Sequence, residues 1–327
     1  MSDTANNNVD ESIKNKEDPM AIVYQMPVWL LSIWGVLPVL AIIVIVIAWL
    51  FVYTYRKKPI VAMSQPEFLY SICAGSLLIA SQMLFYLPVA ASSYNDFDMT
   101  YLGRNVCCNL TVWSIYIGYI LVESALLCKI YRIKLITDQP LRKGLLILPK
   151  HVMGPYIAIL IITVGILIAW TAVHPAKFEI IDLNPNTEET MGVCSPFDTT
   201  ITVDIVFSSI LQGLILIVEI VLLILAWKVR HVNPDLGDSK RIFQLMIYEF
   251  TIHIISTAIF NTLPFINAKL LITVSASFLH STGIMGFLIV PRMYNVWHEH
   301  KHGHLPENVQ TIGTGRTTVV VTNNTYQ

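Results

Sequence analysis

Seven long runs of apolar residues divide the chain, each near or above the roughly 20 residues that cross a bilayer as a helix. They occupy 28–54, 66–91, 106–133, 152–173, 203–227, 242–266 and 270–296. The runs are continuous and do not alternate with period two, which argues against a transmembrane β-barrel. Backbone polar groups in lipid have no water to pair with, so each run is predicted to be a helix. The pattern predicts an all-α membrane protein, a bundle of seven transmembrane helices.

Composition supports a membrane protein and narrows its partners. The 327 residues are 54% hydrophobic and only 13% charged, whereas soluble domains are about 45–50% apolar and about 25% charged. The net charge of −1 argues against a nucleic-acid partner, which requires a basic surface. The polar ends predict disordered tails over 1–26 and 298–327 around a membrane domain over 27–297. The first tail is short and lacks the apolar core of a signal peptide, so no ligand-binding ectodomain is expected before the bundle.

The basic residues between the runs predict the orientation in the membrane. Sixteen of the 21 lysines and arginines lie after runs one, three and five and at the carboxyl-terminal end, and five lie on the other side. Basic residues are enriched in cytosolic loops. The amino terminus is therefore expected outside the cell and the carboxyl terminus in the cytosol, with the bundle in the plasma membrane.

Three cysteines lie at the outer ends of the runs. Cys107 and Cys108 are at the start of the third run, and Cys194 precedes the fifth. Because the outside is oxidising, a disulfide from Cys108 to Cys194 is expected to hold the 174–202 connection over the bundle. The sequence alone does not decide between Cys107 and Cys108.

Ionisable residues inside the runs form a candidate transmembrane pocket: Glu123, Glu219, Glu249, His253 and His280. Such groups are costly against lipid, which favours a functional role in the interior of the bundle. Three interpretations remain open. The residues line a small-molecule pocket, they form a proton or cation path, or they are neutral and pair with neighbouring hydroxyls.

Several motifs occur in the order and on the sides of the membrane that are typical of one receptor family. They are Met63-Ser-Gln-Pro66, Cys108-Asn-Leu-Thr-Val-Trp113, LLCKIYRIKLI over 126–136, Trp170 with His174-Pro175, Cys194, LAWKVRHV at the end of run five, GDSK over 237–240 and Pro291-Arg-Met-Tyr294. Over about residues 50–297 the chain resembles the seven-helix domain of class C G-protein-coupled receptors, which include the metabotropic glutamate receptors, and is most similar to the GABA-B-like branch. The large extracellular ligand-binding domain of that family is missing from this sequence.

The resemblance implies an ionic lock of the inactive state. Lys129, at the inner end of run three, and Asp238, at the start of run six, match the family's lysine and acid. An acid in the first helical turn is stabilised by the helix dipole by roughly 0.3–1 kcal/mol, and an exposed ion pair adds about 0–1 kcal/mol. The alternative is that Asp238 only caps its helix while Lys129 reaches toward the lipid headgroups.

The resemblance also implies a heterotrimeric G protein as partner, beside the lipid bilayer. The basic residues expected to face it are Arg132, Lys134, Arg142, Lys143, Arg230, Lys240 and Arg241. A simpler interpretation is that these residues follow the positive-inside bias and contact anionic lipid. A second receptor chain is a further expected partner, either another copy or a chain that carries the ectodomain.

The leading hypothesis is a class C receptor of GABA-B-like type that passes an extracellular or partner-chain signal to a G protein. The alternative is a transporter or channel that uses the intramembrane glutamates and histidines, although no internal repeat with broken helices supports it. No catalytic motif indicates an enzyme, and no cofactor is expected. The histidine-rich run 298–304 has no fixed ligand spacing, so a solvated tail is predicted there and no metal site.

Overall fold

The computed structural model describes residues 22–23, 28–58, 61, 65–90, 100–138, 152–184, 189–195, 202–230, 238–263 and 266–302. In chain order they form β1 (Ile22–Val23), α1 (Val28–Tyr55), α2 (Pro66–Ala90), α3 (Tyr101–Asp138), α4 (Met153–Val173), β2 (Phe178–Asn184), β3 (Glu189–Cys194), α5 (Thr202–Val229), α6 (Asp238–Thr262), α7 (Ile266–Leu288) and α8 (Val290–His302). Within this part of the chain, seven helical stretches are long and apolar enough to cross a membrane, α7 and α8 together counting as one. The predicted seven-helix bundle is confirmed.

Large apolar side chains face outward along the helices. Ile161 of α4 is 65% exposed and Ile217 of α5 is 61% exposed. A helix bundle with apolar surface of this extent contacts lipid on its outside and not water. The chain is therefore a multi-pass membrane protein.

The boundaries of α6 differ from those of the sixth apolar run. The helix begins at Asp238, four residues before the run, and ends at Thr262. The earlier end follows from Pro264, because a proline disfavours helical backbone at the residue before it. The predicted run continued to 266 because apolar residues follow the proline without interruption.

Polar side chains in the first turns of α3 tie it to the chain around β2. Asn109 Nδ2 donates to the carbonyl of Ala176 over 2.8 Å, and the backbone N–H of Phe178 donates to Asn105 Oδ1 over 2.8 Å. These contacts explain why α3 begins at Tyr101, five residues before the third apolar run. The extra turns are held by hydrogen bonds, which hydropathy does not report.

A small sheet covers the same end of the bundle. β2 pairs antiparallel with β3, with Phe178 opposite Cys194. β1 adds a short parallel strand to β3, with Ile22 opposite Glu189. β1 lies within the segment 1–26 expected to be a disordered tail, and it is ordered at these two residues because β3 supplies backbone partners.

The disulfide joins this sheet to the bundle. Cys108 of α3 bonds to Cys194 of β3, with their Cα atoms 5.5 Å apart, whereas Cys107 has a free thiol. This decides the choice that the sequence left open, and the expected disulfide forms through Cys108. The end of the bundle that carries it is called the disulfide end below, and the end at which α6 begins is called the opposite end.

Two buried apolar clusters fill the bundle. The cluster at the disulfide end includes Leu30, Trp34, Tyr86, Trp170, Phe178 and Leu270. The cluster through the middle and the opposite end includes Ile72, Leu126, Ile130, Leu222, Ile242, Leu245 and Ile289. The clusters draw on helices from both halves of the sequence, so the described spans form one packed body.

α2 and α3 approach closely where Gly75 faces Gly118. A Cβ atom added to Gly118 would lie 2.7 Å from Cγ1 of Ile79 and 2.9 Å from the carbonyl oxygen of Gly75. Small residues at a crossing allow two membrane helices to approach backbone to backbone. This contact holds α3 inside the bundle, where it faces α4 and α5 as well as α2.

Candidate functional site

A cavity of about 470 Å³ lies between α3, α5, α6 and α7. Its lining includes Tyr119, Gln212, His253, Phe260, Thr273 and Ser277. Sites for drug-sized ligands have volumes of roughly 300–1,000 Å³ and combine apolar walls with a few polar groups. The cavity has the size and the mixed lining of a small-molecule site.

Of the five predicted pocket residues, His253 lines this cavity and the other four lie one helical turn below it, on the side of the opposite end. Each of these four stands four positions from a residue that lines the cavity, in the pairs Tyr119 and Glu123, Ile215 and Glu219, His253 and Glu249, Ala276 and His280. Helices α3, α5 and α7 leave the disulfide end while α6 returns to it, so all four steps point the same way. We call Glu123, Glu219, Glu249 and His280, together with His253 above them, the ionisable layer.

Hydrogen bonds and ion pairs connect the layer across α5, α6 and α7. His253 Nδ1 lies 2.7 Å from Glu219 Oε2, and its other ring nitrogen contacts the Gln212 amide. His280 Nδ1 pairs with the carboxylate of Glu249. The structure therefore brings four of the five predicted pocket residues into direct pairs that the sequence did not specify.

α3 contributes the fifth residue and an aromatic ring. The Tyr119 ring centroid lies 4.4 Å from that of His280. Glu123, one turn further along α3, is within electrostatic range of both Glu219 and Glu249. The five predicted pocket residues thus form one group.

Burial limits how many groups of this layer can be ionised at the same time. Glu123, Glu219 and Glu249 are 0% exposed and His280 is 2% exposed. Both carboxylate oxygens of Glu123 and the Oε1 atom of Glu219 have no hydrogen-bond partner among the described residues. Three carboxyl groups share two imidazoles, so they cannot all be ionised and all be paired.

The geometry does not indicate a metal site. No group of three or more His, Cys, Asp or Glu side chains is arranged to hold a metal ion in the part of the chain that the structure describes. In the run 298–304, the rings of His298 and His302 stack with centroids 4.3 Å apart on α8. α8 extends to His302, so the tail expected to be disordered from 298 begins as helix.

Lys129 and Asp238, the predicted ionic lock, both lie at the opposite end. Lys129 of α3 is 1% exposed, and Asp238 is the first residue of α6. Their neighbours Ile130 and Ile242 belong to the same buried cluster, so the two helix ends share one core. The side chain of Asp238 lies outside the described residues, and its contact with Lys129 stays a prediction.

The residues predicted to face a G protein are spread around the same end. Arg132, Lys134, Arg230, Lys240 and Arg241 are described there, whereas Arg142 and Lys143 lie outside the described residues. The Arg230 guanidinium stacks on the Trp227 ring, 3.0 Å from its centroid, which anchors the charge at the end of α5. An ion pair of 2.8 Å between Lys58 and Glu299 joins the chain after α1 to α8.

A buried acid at the disulfide end was missed by the sequence reasoning. Asp204 of α5 is 1% exposed. Its Oδ1 accepts a hydrogen bond of 2.8 Å from Trp170 Nε1 and lies 3.1 Å from His174 Nδ1. An acid at the second position of an apolar run was the available signal. Its structural role is to bind α4 to α5.

Comparisons with known proteins agree with this architecture. The family described as "7 transmembrane sweet-taste receptor of 3 GCPR" matches residues 24–292. The gamma-aminobutyric acid type B receptor subunit 2 of Homo sapiens and that of Rattus norvegicus are each 26% identical over 244 residues, covering 69% of this chain and 24% of the relative. The subunit 2 of Caenorhabditis elegans is 27% identical over 212 residues, covering 62% and 24%. The chain spans about a quarter of the length of these relatives.

Proposed function

The chain belongs to the seven-transmembrane family of class C G-protein-coupled receptors, and from that premise we propose that it is a GABA-B-like receptor that activates a heterotrimeric G protein. The family match over residues 24–292 carries this proposal. It covers six spans completely and the seventh as far as residue 292, and it includes both cysteines of the disulfide. Under this proposal, the relatives' named ligand class and their assembly from subunits are starting points for experiments on this chain.

Charge and redox chemistry support an orientation with the disulfide end outside a plasma membrane. Disulfides persist in oxidising compartments, which fits the Cys108–Cys194 bond at that end. Lys228 lies in the last turn of α5 and Arg230 directly follows it, and Lys240 and Arg241 lie in the first turn of α6, at the opposite end. This basic end faces the cytosol under the positive-inside rule.

The switch of the proposed receptor is the Lys129–Asp238 pair. A lysine that is 1% exposed needs a counter-charge, because an unpaired buried ammonium is costly. Asp238 begins α6 and supplies an acid at the same end of the bundle. Separating α3 from α6 would break this pair and expose the basic residues to a G protein. Breaking such a pair can shift an equilibrium between two receptor conformations that differ by a few kcal/mol.

The signal enters at the disulfide end, where the cavity between α3, α5, α6 and α7 is the proposed site for a small molecule. A second chain, another copy or one with an ectodomain, is the proposed alternative source of the signal. Both inputs act on the same bundle and have the same output. They differ in whether the isolated chain responds to a small molecule.

Nucleotide exchange on purified heterotrimeric G proteins tests the function, with this chain in reconstituted membranes. We expect the chain to accelerate exchange, and Asp238→Ala to accelerate it further. Glu67→Ala, which removes an exposed acid from the first turn of α2 at the same end, is the matched control. Ion or solute flux without exchange by any variant would favour the transporter hypothesis and reject this one.

A further inference from the structure

The charge balance of the ionisable layer points to the kind of molecule that the cavity accepts. Three carboxyl groups and two imidazoles lie in one buried group. Each imidazole pairs with one acid, His253 with Glu219 and His280 with Glu249, so the third carboxyl group has no imidazole partner. Neither carboxyl oxygen of Glu123 accepts a hydrogen bond from the described residues, and of the three acids it is the one with no ion pair to an imidazole among them. Such a group is stabilised by any positive charge that approaches it.

We propose that the cavity binds a small molecule with a positively charged group, such as a protonated amine, and that the ionisable layer selects for this charge. The inference rests on the proposed function, because it assigns a ligand class to the receptor's cavity. The positive group of the ligand lies at the floor of the cavity, one helical turn above Glu123 and Glu219. At this separation a unit charge in a partly desolvated site interacts strongly with a carboxylate.

The floor of the cavity provides a route from ligand to layer. His253 lines the cavity and its side chain is 10% exposed, while Glu219 beneath it is 0% exposed. The imidazole contacts Gln212 on the cavity side and Glu219 on the layer side. A positive group at the floor therefore meets the outer edge of a hydrogen-bonded chain that ends on a carboxylate.

The walls also suit a cation. Among the described residues that line the cavity there is no lysine or arginine, and neutral oxygens come from Ser208, Ser209, Thr257 and Asn261. Tyr116 and Tyr119 present aromatic rings, whose faces attract an ammonium group. These hydrogen-bond acceptors and rings are uncharged, so they do not repel a cationic ligand.

The positive side chain of Lys269 lies near the other end of the cavity and sets the direction of the ligand. Lys269 holds its ammonium 5.3 Å from the centroid of the Phe260 ring, a lining residue. Lys269 and His280 are eleven positions apart on α7, about 16 Å along the helix axis. The cavity is thus positive toward the disulfide end and acidic at its floor, which directs the positive group of the ligand to the floor.

Matched probes that differ only in charge test the inference on the purified full chain in detergent micelles. The pairs are tryptamine with tryptophol and phenethylamine with 2-phenylethanol, each an amine beside its neutral hydroxyl counterpart. Affinity is measured from the shift of the thermal unfolding midpoint with probe concentration. We expect the amine to bind on the order of tenfold more tightly in each pair.

Substitutions locate the source of that preference. Glu123→Gln and Glu219→Gln keep the size of the side chain and remove its charge, and each should reduce the preference for the amine severalfold. Glu67→Gln, at an exposed acid far from the cavity, should leave the preference unchanged. Equal binding of amine and alcohol to the unmodified chain overturns the inference without any variant. The inference is also overturned if none of the four probes binds, or if both glutamine variants keep the full preference for the amine.

The result is independent of the proposed signalling. The charge preference is measured without a G protein, so it stands even if nucleotide exchange fails. Exchange stimulated by Asp238→Ala together with equal binding of charged and neutral probes would reject the ligand class and keep the receptor.

Discussion

His253 of α6 reaches across the bundle to Glu219 of α5, with 2.7 Å between Nδ1 and Oε2. Glu219 is fully buried and His253 is nearly so. No other described residue hydrogen-bonds to the Glu219 carboxylate. The pair therefore holds α5 to α6 at the floor of the cavity, and each partner depends on the other.

Removing the imidazole alone should destabilise the bundle. His253→Ala leaves the Glu219 carboxyl buried without its partner, at a cost of about 3 kcal/mol in the free energy of unfolding. The measurement is thermal or denaturant unfolding in micelles. In the double variant His253→Ala/Glu219→Leu no buried acid is orphaned, so part of the stability should return. If the double variant loses as much free energy of unfolding as the two single variants lose together, the two side chains do not interact.

The proposed lock predicts a charge-dependent rise in basal signalling. Asp238→Ala should raise ligand-independent nucleotide exchange by up to about fivefold, the size expected when an ion pair worth about 1 kcal/mol is removed. Exchange is compared at equal amounts of folded receptor. The exchanged pair Lys129→Asp/Asp238→Lys should return exchange toward the unmodified level. Basal exchange that stays the same in Asp238→Ala would leave the acid with a capping role alone.

The disulfide should contribute to stability through Cys108 and not through Cys107. Cys194→Ser should lower the free energy of unfolding by about 2–5 kcal/mol, because β3 is no longer bonded to α3. Cys107→Ser is the matched control and should unfold like the unmodified chain. A reducing agent should lower the unfolding midpoint of the unmodified chain and of Cys107→Ser, with no further effect on Cys194→Ser. Equal losses from both serine variants would contradict the observed pairing.

The contact between α2 and α3 should not tolerate a methyl group. Gly118→Ala places a Cβ atom 2.7 Å from Ile79 Cγ1, so the helices must move apart at a cost of about 1–3 kcal/mol. Gly213 of α5 has no atom within 4 Å of an added Cβ, and Gly213→Ala should be neutral or stabilising by up to about 1 kcal/mol. Unfolding midpoints of the two variants in the same micelles provide the comparison. Similar midpoints for the two variants would mean that α2 and α3 can move apart at little cost in stability.

The hydrophobic pattern was sufficient to predict the seven-helix architecture, because the bilayer imposes the same local requirement on every apolar run. A backbone in a bilayer must pair with itself, so each apolar run of sufficient length becomes a helix wherever it lies in the fold. The seven spans follow from this local rule. The sequence also identified each of the five ionisable residues, because a glutamate or histidine in an apolar run is conspicuous by itself.

Tertiary packing decided which of these residues meet. Cys107 and Cys108 are neighbours in sequence, but successive side chains on a helix point about 100° apart, so only Cys108 faces Cys194. The pairs of His253 with Glu219 and of His280 with Glu249 depend on the relative height and rotation of α5, α6 and α7. Those positions are set by contacts between helices distant in sequence, such as the meeting of Gly75 with Gly118. Hydropathy is a property of single residues, so it does not predict contacts between helices.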